Sequence, residues 1–356
     1  MEKNTKNNIR DLNTAELATF FTTIGEKPFR AKQVDEWLWQ KGARTFEEMT
    51  NLSESLRSKL NTHFTINAVQ VAEKQISSDR TIKNAFELYD KNITEGVLIP
   101  STTRMTACIS SQVGCSLSCK FCATGRLKRL RNINADEIFD QVVHIKQQAE
   151  EHYNTPLTNI VYMGMGEPLL NYKNVLESIE RITSPKGLGM SPKRITVSTA
   201  GIAKAITRLG DDEVKFNLAL SLHAANDAKR DQIMPINEQN NLAVLADSLK
   251  HFHAKTGTRV TYEYIIFRDF NDELEDAREL AVFCKHVPCK VNIIEYNPID
   301  DGEFQQADTA KVDAFAAYLE SKNIVVNIRR SRGKDIDAAC GQLANKNEAA
   351  VHKELK

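Results

Sequence analysis

Three cysteines within one eight-residue stretch carry the strongest chemical signal in this chain. Cys115, Cys119 and Cys122 form the run Cys-Ser-Leu-Ser-Cys-Lys-Phe-Cys, a C-x3-C-x2-C spacing. Thiolates this close in sequence can converge on one corner of an iron–sulfur cluster. A 4Fe–4S cluster has four irons, so three ligands leave one iron open to a small molecule. The four-cysteine runs of electron-carrying ferredoxins close every iron instead. The competing chemistry is a zinc knuckle, which usually pairs C-x2-C with a second, distant pair of Cys or His. Cys108, Cys284, Cys289 and Cys340 supply no clean second pair.

Other residue types point to ligand handling. In Gly164-Met-Gly-Glu-Pro168 the glycines let backbone approach a ligand closely, and Glu167 can hold a ligand ammonium. An ordinary turn is the plain alternative there. Ser198, the run Ser221-Leu222-His223 and Asn297-Pro298 are polar punctuation after apolar stretches; taken singly, each reads equally well as a cap or a structural residue. Two basic runs, Arg126-Leu-Lys-Arg-Leu-Arg131 and Arg329-Arg-Ser-Arg-Gly-Lys334, can grip phosphates, and their alternative is a solvated face. Cys108 leads toward the cysteine run, and Cys340 sits in a small, flexible segment, Asp337-Ala-Ala-Cys-Gly-Gln342. Cys284 and Cys289 flank a helix end and Pro288 and are expected to pack as small hydrophobes.

These residues need a scaffold. Short β-branched runs at 105–110, 158–163, 194–198, 216–222, 259–267 and 290–296 alternate with amphipathic stretches at 136–152, 172–183, 202–209, 241–256 and 273–286. A helix at 308–322 and a strand at 324–329 follow, and Asn134 with Glu137 resembles a capping box. Alternating β and α predicts a parallel sheet. Six repeats are too few for an eight-stranded barrel, so the expectation is α/β: a partial, open (βα)6 barrel. In such sheets the active site lies at the C-terminal strand ends, and every polar punctuation above falls there. The first ninety residues differ. They predict helices at 14–24, 30–40 and 53–63, then strands at 68–76 and 84–88. This module either places a substrate or packs as an appendage.

Composition bounds the rest. The chain has 356 residues, a net charge of zero and 41% hydrophobic residues, enough for a large domain and an accessory one. Any nucleic-acid contact must then come from local basic patches. The polar start lacks an apolar leader, and no stretch approaches membrane-spanning length. Seven cysteines, three of them clustered, suit a reducing cytoplasm.

The motifs taken together resemble one family. The Cys115–Cys122 spacing, with Phe121 before the last cysteine, is similar to that of radical S-adenosylmethionine enzymes. Gly114-Cys115 through Gly125, Gly164-Met-Gly-Glu-Pro168, Ser221-Leu-His223 and Gly333-Lys-Asp-Ile-Asp-Ala-Ala-Cys-Gly-Gln342 resemble the RlmN/Cfr family of RNA methyltransferases, over nearly the whole chain. The resemblance implies a 4Fe–4S cluster on Cys115, Cys119 and Cys122. It implies two S-adenosylmethionine molecules per turnover, contacted by Gly166, Glu167, Ser198, Ser221, Leu222, His223 and Asn297. It implies that Cys340 takes a methyl group, that the group then reaches an aromatic carbon of an adenine in 23S ribosomal RNA through a covalent adduct, and that Cys108 releases the product by forming a disulfide. Glu95 matches the family's proton acceptor, with a surface glutamate as the alternative. Residues 1–92 correspond to an RNA-positioning accessory domain, 93–342 to the catalytic domain and 343–356 to a polar tail. Gly96-Val-Leu-Ile-Pro100 and Gly-Glu-Pro168 look like the C2-methylating type rather than the C8 type, and adenine 37 of transfer RNA stays open as a second substrate. The expected partners are the RNA and a flavodoxin or ferredoxin system as electron donor, with the chain acting as a monomer away from membranes.

Overall fold

Ten strands form one sheet whose spatial order is the chain order. The computed structural model describes residues 6–346. The strands are β1 Gln70–Ile76, β2 Ile82–Glu87, β3 Ile93–Pro100, β4 Met105–Cys108, β5 Asn159–Tyr162, β6 Ile195–Thr199, β7 Asn217–Ser221, β8 Val260–Ile266, β9 Cys289–Glu295 and β10 Val325–Arg329. β1 to β4 pair antiparallel through short turns. From β4 onward every neighbour is parallel, which requires a crossover between strands. Helices supply it: α4 Ala135–Tyr153, α5 Tyr172–Thr183, α6 Ala203–Asp211, α7 Asp227–Ile233, α8 Leu242–Thr256, α9 Leu274–Phe283 and α10 Thr309–Ser321. β10 has no pairing back to β4 among the described residues, so the barrel is partial and open, as the repeat count predicts.

The helix-facing side of the barrel strands is apolar because the helices cover it, while the opposite side carries the polar residues of the site. Ile160, Val197, Leu218, Leu220, Tyr262, Val291 and Ile293 are all buried in one core. That core continues into the accessory helices α1 Thr14–Thr23, α2 Arg30–Trp39 and α3 Glu54–His63 through Leu17, Phe21, Val34, Leu38, Leu56 and Leu60. Asn13 and Glu16 close a capping box on α1, and Ser53 caps α3. The module docks on α4 through buried polar pairs: Arg10 Nη1 lies 2.8 Å from Asp140 Oδ2, and Asn8 Nδ2 donates to Asp136 at 2.8 Å. Burial pushes the Asp136 carboxyl up to about 6. The Asn134 N–H donates to Glu137 at 3.0 Å at the start of α4, the reciprocal half of the predicted box.

Two elements differ from the sequence expectation. Residues 93–100 form a buried strand, although Gly96 and Pro100 read as breakers. The Phe86 ring fills the space beside Gly96, where a Cβ would stand 2.7 Å from Cε2, and Pro100 ends the strand. The sheet therefore runs unbroken from the accessory hairpin into the barrel across residues 92 and 93. The second is α7, whose charged sequence carries no apolar periodicity.

Candidate active site

The loop after β4 carries the three cysteines. Gly114 turns the chain at φ +74°, with the Lys128 carbonyl oxygen only 2.2 Å from where a Cβ would be, so only glycine fits. Cys115 N–H donates to the Leu127 carbonyl and Cys122 N–H to that of Cys119, which folds the run on itself. All three thiols are partly exposed and unbridged. They open into one cavity of about 160 Å3, walled by Phe121, Met234, Ile265 and Ile294. Burial pushes all three thiols up, Cys115 to about 11.

The other strand ends meet the same cavity. Gly166 adopts φ +91°, and a Cβ there would stand 2.4 Å from Gln112 Cβ. Glu167 is buried; its oxygens accept from Leu169 N–H at 2.9 Å and Ala200 N–H at 2.7 Å. Burial raises its carboxyl. Ser198 and Ser221 hydroxyls lie 3.3 Å apart on β6 and β7. His223 sits at φ +56°, its ring on the Phe121 ring at 4.7 Å. Its Nδ1 accepts the Ile265 N–H at 3.1 Å, which leaves the proton on Nε2. Burial, helped by the Arg230 cation, lowers the imidazole to about 3. Two predicted contacts are placed differently. Leu222 is fully buried in the main core and does not line the cavity, because its side chain alternates to the other face. Asn297 lies behind the wall, where Nδ2 donates to the Cys340 carbonyl at 3.2 Å and Oδ1 is buried without a partner among the described residues.

Cys340 stands where this cavity meets a second, of about 140 Å3, that also reaches Cys108 and the Arg330–Arg332 run. It is open to a water-sized molecule, yet enclosed enough that burial raises its thiol. Cys108 is buried and pushed up to about 12, first by burial and then by the Cys340 charge. The loop carrying Cys340 is tied down along its length. Gly333 N–H donates to Asp79 at 2.9 Å, and the Asp335 carboxylate accepts from Ser77 at 2.6 Å. Ala123 N–H of the cysteine loop donates to the Gly341 carbonyl at 2.8 Å, and Thr124 donates to Leu343 O at 2.6 Å. Glu95 completes the strap: its carboxylate accepts from the Ala344 and Asn345 N–H groups at 2.9 and 3.0 Å, with Lys83 3.8 Å away. Glu95 is thus buried rather than a surface residue. Residues 343–345, expected as the start of a polar tail, are buried or half-buried against the barrel, and Lys346 is exposed; 347–356 lie outside the described residues.

Arg230 and Glu263 lie outside the motifs the sequence offers, and Arg329 stands there only as part of a basic run. Arg230 is fully buried and donates to the carbonyls of Leu222 at 3.1 Å and Ala200 at 2.6 Å and to Asn237 at 2.6 Å, fixing the loops after β6 and β7. Its charged neighbours in Asp227-Ala-Lys-Arg-Asp231 disguise it as a surface residue. Glu263 and Arg329 pair at 3.4 Å in the cavity wall. A lone glutamate inside the apolar strand Val-Thr-Tyr-Glu-Tyr-Ile-Ile was a usable signal. The basic runs are less available than expected. Arg131 is held by Asp90 at 2.6 Å and Glu137 at 2.7 Å, Arg126 by the Asp300 and Asp301 carbonyls, Arg330 and Lys334 by Glu295. Lys128 and Arg129 remain exposed, and Arg332 is half-exposed on its side chain.

Residues 7–66 match the family described as ribosomal RNA large subunit methyltransferase N-terminal domain, and residues 109–281 match the radical SAM superfamily. A Cytophaga hutchinsonii protein named "Probable dual-specificity RNA methyltransferase RlmN" is 62% identical over 95% of this chain and 93% of its own length. The chain belongs to the RlmN family of dual-specificity RNA methyltransferases. An RlmN relative from Christiangramia forsetii, under the same name, is 56% identical over 97% of this chain and 98% of its own. The crystal structure of a radical SAM methyltransferase from Sphaerobacter thermophilus superposes with a TM-score of 0.89 at 36% identity, covering 95% of this chain and 99% of that one. RlmN enzymes of this superfamily use a 4Fe–4S cluster and S-adenosylmethionine, and the residues here fit both. Three unbridged thiols in a largely apolar wall are the soft donor set of an iron–sulfur cluster. The buried Glu167, whose partners are neutral N–H and hydroxyl groups, suits a ligand ammonium whose charge would offset its burial. No described helix is long and apolar enough to cross a membrane.

Proposed function

We propose that this enzyme methylates C2 of an adenine in 23S ribosomal RNA, with Cys340 carrying the methyl group between two chambers. The observation that carries this reading is the position of Cys340: one cavity joins it to the three cysteines and Glu167, the other to Cys108 and the exposed arginines. When bound, the cluster and S-adenosylmethionine supply the methyl group and the one-electron chemistry that activates it. Cys115, Cys119 and Cys122 hold the cluster; Glu167, the Gly166 backbone, Ser198, Ser221 and the neutral His223 orient S-adenosylmethionine, and Leu222 contributes main chain only. Asn297 positions Cys340 through its carbonyl. The Cys340 sulfur accepts the methyl group as a thiolate nucleophile. One hydrogen atom is removed from that methyl by the one-electron chemistry, and the methylene carbon left on Cys340 then bonds to C2 of the adenine ring, the surplus electron returning to the electron carrier. Glu95 takes the ring proton; it lies on the same face of β3 as Val97, which packs with Cys108 and Leu343. The Cys108 thiolate attacks the Cys340 sulfur; the sulfur–carbon bond breaks with its electron pair going to the carbon, which takes a proton to become the methyl group of the departing product. A disulfide remains that two external electrons must reduce before the next turnover.

Residues 1–92 position the RNA, and Lys128, Arg129 and Arg332 contact its phosphates. A flavodoxin or ferredoxin system delivers electrons, the chain acts as a monomer, and a reducing cytoplasm keeps the thiols available. The Pro168 that closes Gly-Met-Gly-Glu-Pro favours C2 over C8. The test is anaerobic: reconstituted protein, reductant, methyl-labelled S-adenosylmethionine and unmodified 23S RNA, followed by nucleoside identification. 2-Methyladenosine is expected. 8-Methyladenosine would overturn the C2 assignment, and cofactor cleavage without a labelled nucleoside would overturn the substrate.

A further inference from the structure

The barrel has a second chemical feature at its opposite end. β8, β9 and β10 begin at Val260, Cys289 and Val325, and beside these N-terminal ends lies a cavity of about 540 Å3, larger than either chamber at the active rim. Cys284 at the end of α9 and Cys289 at the start of β9 both line it. The four-residue connection Lys285-His-Val-Pro288 folds them together, with the Cys289 Sγ 3.6 Å from the Cys284 carbonyl oxygen. Arg259, Arg278, Lys285 and Lys322 surround the opening. Behind the pair the Tyr262 hydroxyl is fully buried and has no hydrogen-bond partner among the described residues.

We propose that Cys284 and Cys289 form a redox-active dithiol that reacts with small anionic disulfides of the glutathione class entering this basic cavity. The proposal is independent of the methyl-transfer reading, because no residue of the active rim takes part. Cys289 is the attacking sulfur, being partly exposed, while Cys284 is buried. Their mutual contact divides their acidities in the same sense. Hydrogen bonding from Cys284 holds the Cys289 thiol below its ordinary range, assisted by Arg259, and the same contact with burial pushes Cys284 up. Burial, and then the charges of Cys289 and Cys284, push the Tyr262 hydroxyl up, so it stays protonated beside the pair. The Cys289 thiolate attacks one sulfur of the disulfide RSSR, giving a Cys289–SR mixed disulfide and releasing RS−. Cys284 then loses its proton to solvent and attacks the Cys289 sulfur, releasing the second RS− and closing Cys284–Cys289. The protein dithiol loses two electrons and RSSR gains them.

The experiment treats the reconstituted full chain with glutathione disulfide, quenches in acid, alkylates free thiols and maps all seven cysteines by peptide mass. A Cys284–Cys289 disulfide is expected in the wild-type chain. In Cys284→Ala, glutathione is expected to remain on Cys289. Neutral 2-hydroxyethyl disulfide should react roughly 3- to 10-fold more slowly than glutathione disulfide at low salt, since it gains nothing from the surrounding cations. Recovery of both cysteines as alkylated thiols would overturn the proposal, as would glutathione on Cys284 rather than Cys289. Equal rates for the two oxidants would overturn the anionic class. The wild-type map needs no variant to fold, so a misfolded Cys284→Ala leaves the decision intact.

Discussion

Two arginines at opposite ends of this barrel, Arg230 and Arg278, are held in opposite ways. At the C-terminal rim Arg230 is fully buried, and its donors reach three loop carbonyls or amides, so removing one side chain unties the loops after β6 and β7 together. At the N-terminal rim Arg278 is 57% exposed on its side chain and pairs with Glu275 one turn away. The apolar residues differ likewise: Val282 and Val325 stand exposed at the N-terminal end, whereas Met234, Ile265 and Ile294 wall the active cavity. A desolvated charge is tolerated only where its donors are met, so a rim that buries charges is also a rim whose loops hold one arrangement. Reaction geometry needs that rigidity; a surface cavity that meets small solutes does not.

The sharpest break in this comparison should come from the thiols. Cys340→Ala should lower methyl transfer on the order of 10³-fold or more. The other thiol bordering both chambers, Cys122, belongs to the cluster-binding run and cannot replace it. Cys289→Ala at the other end should keep full activity under reducing conditions. Labelled methyl transfer to RNA reads both. Cys108→Ala should leave a protein–RNA species of slow mobility in a denaturing gel, and its absence would remove Cys108 from product release.

Next in size is Arg230→Met, expected to cost ~3–5 kcal/mol in urea unfolding, because it leaves buried carbonyls and Asn237 unpaired. A loss near that of a surface residue would show that the loops hold without it. A smaller effect is carried by pH. The His223 imidazole, ordinarily protonated below 6.5, stays neutral in the fold to about 3, through burial and then Arg230. The unfolded chain therefore binds a proton the folded chain refuses, and stability present above pH 6.5 is lost as pH falls toward 3. Relative to His223→Asn, the wild-type chain should lose ~2–3 kcal/mol more between pH 6.5 and 4. Parallel acid limbs would show that the ring titrates normally. The smallest effect is expected of Arg278→Ala: a urea midpoint indistinguishable from wild type, since that pair is solvated. A clear shift there would erase the contrast between the rims.

Local chemistry in the sequence carried much of this architecture. Repeating β and α patterns locate the seven parallel strands and the helices between them except α7, since hydrophobic period is a property of neighbouring residues. The rule that sites lie at C-terminal strand ends points to Glu167, Ser198, Ser221 and His223, and these four line one cavity. It does not show that the Leu222 and Asn297 side chains stand outside that cavity, because a strand end tells which residues are near and not which way each side chain points. It failed for Arg230 because burial of a charge depends on carbonyls contributed by distant loops. Strand β3 escaped notice because Gly96 is acceptable only with the Phe86 ring packed across it.

By itself the sequence determined the cysteine spacing, the order of strands and helices and hence the partial barrel, because each follows from residues adjacent in the chain. Only the tertiary structure decided that Cys340 joins two chambers, that Glu95 is buried beneath residues 344 and 345, and that the basic runs are largely absorbed by Glu137, Asp90 and Glu295. These are meetings of groups mostly separated by tens to hundreds of residues. They depend on burial and on the partner each charge finds there, and neither is a property of any local stretch of chain.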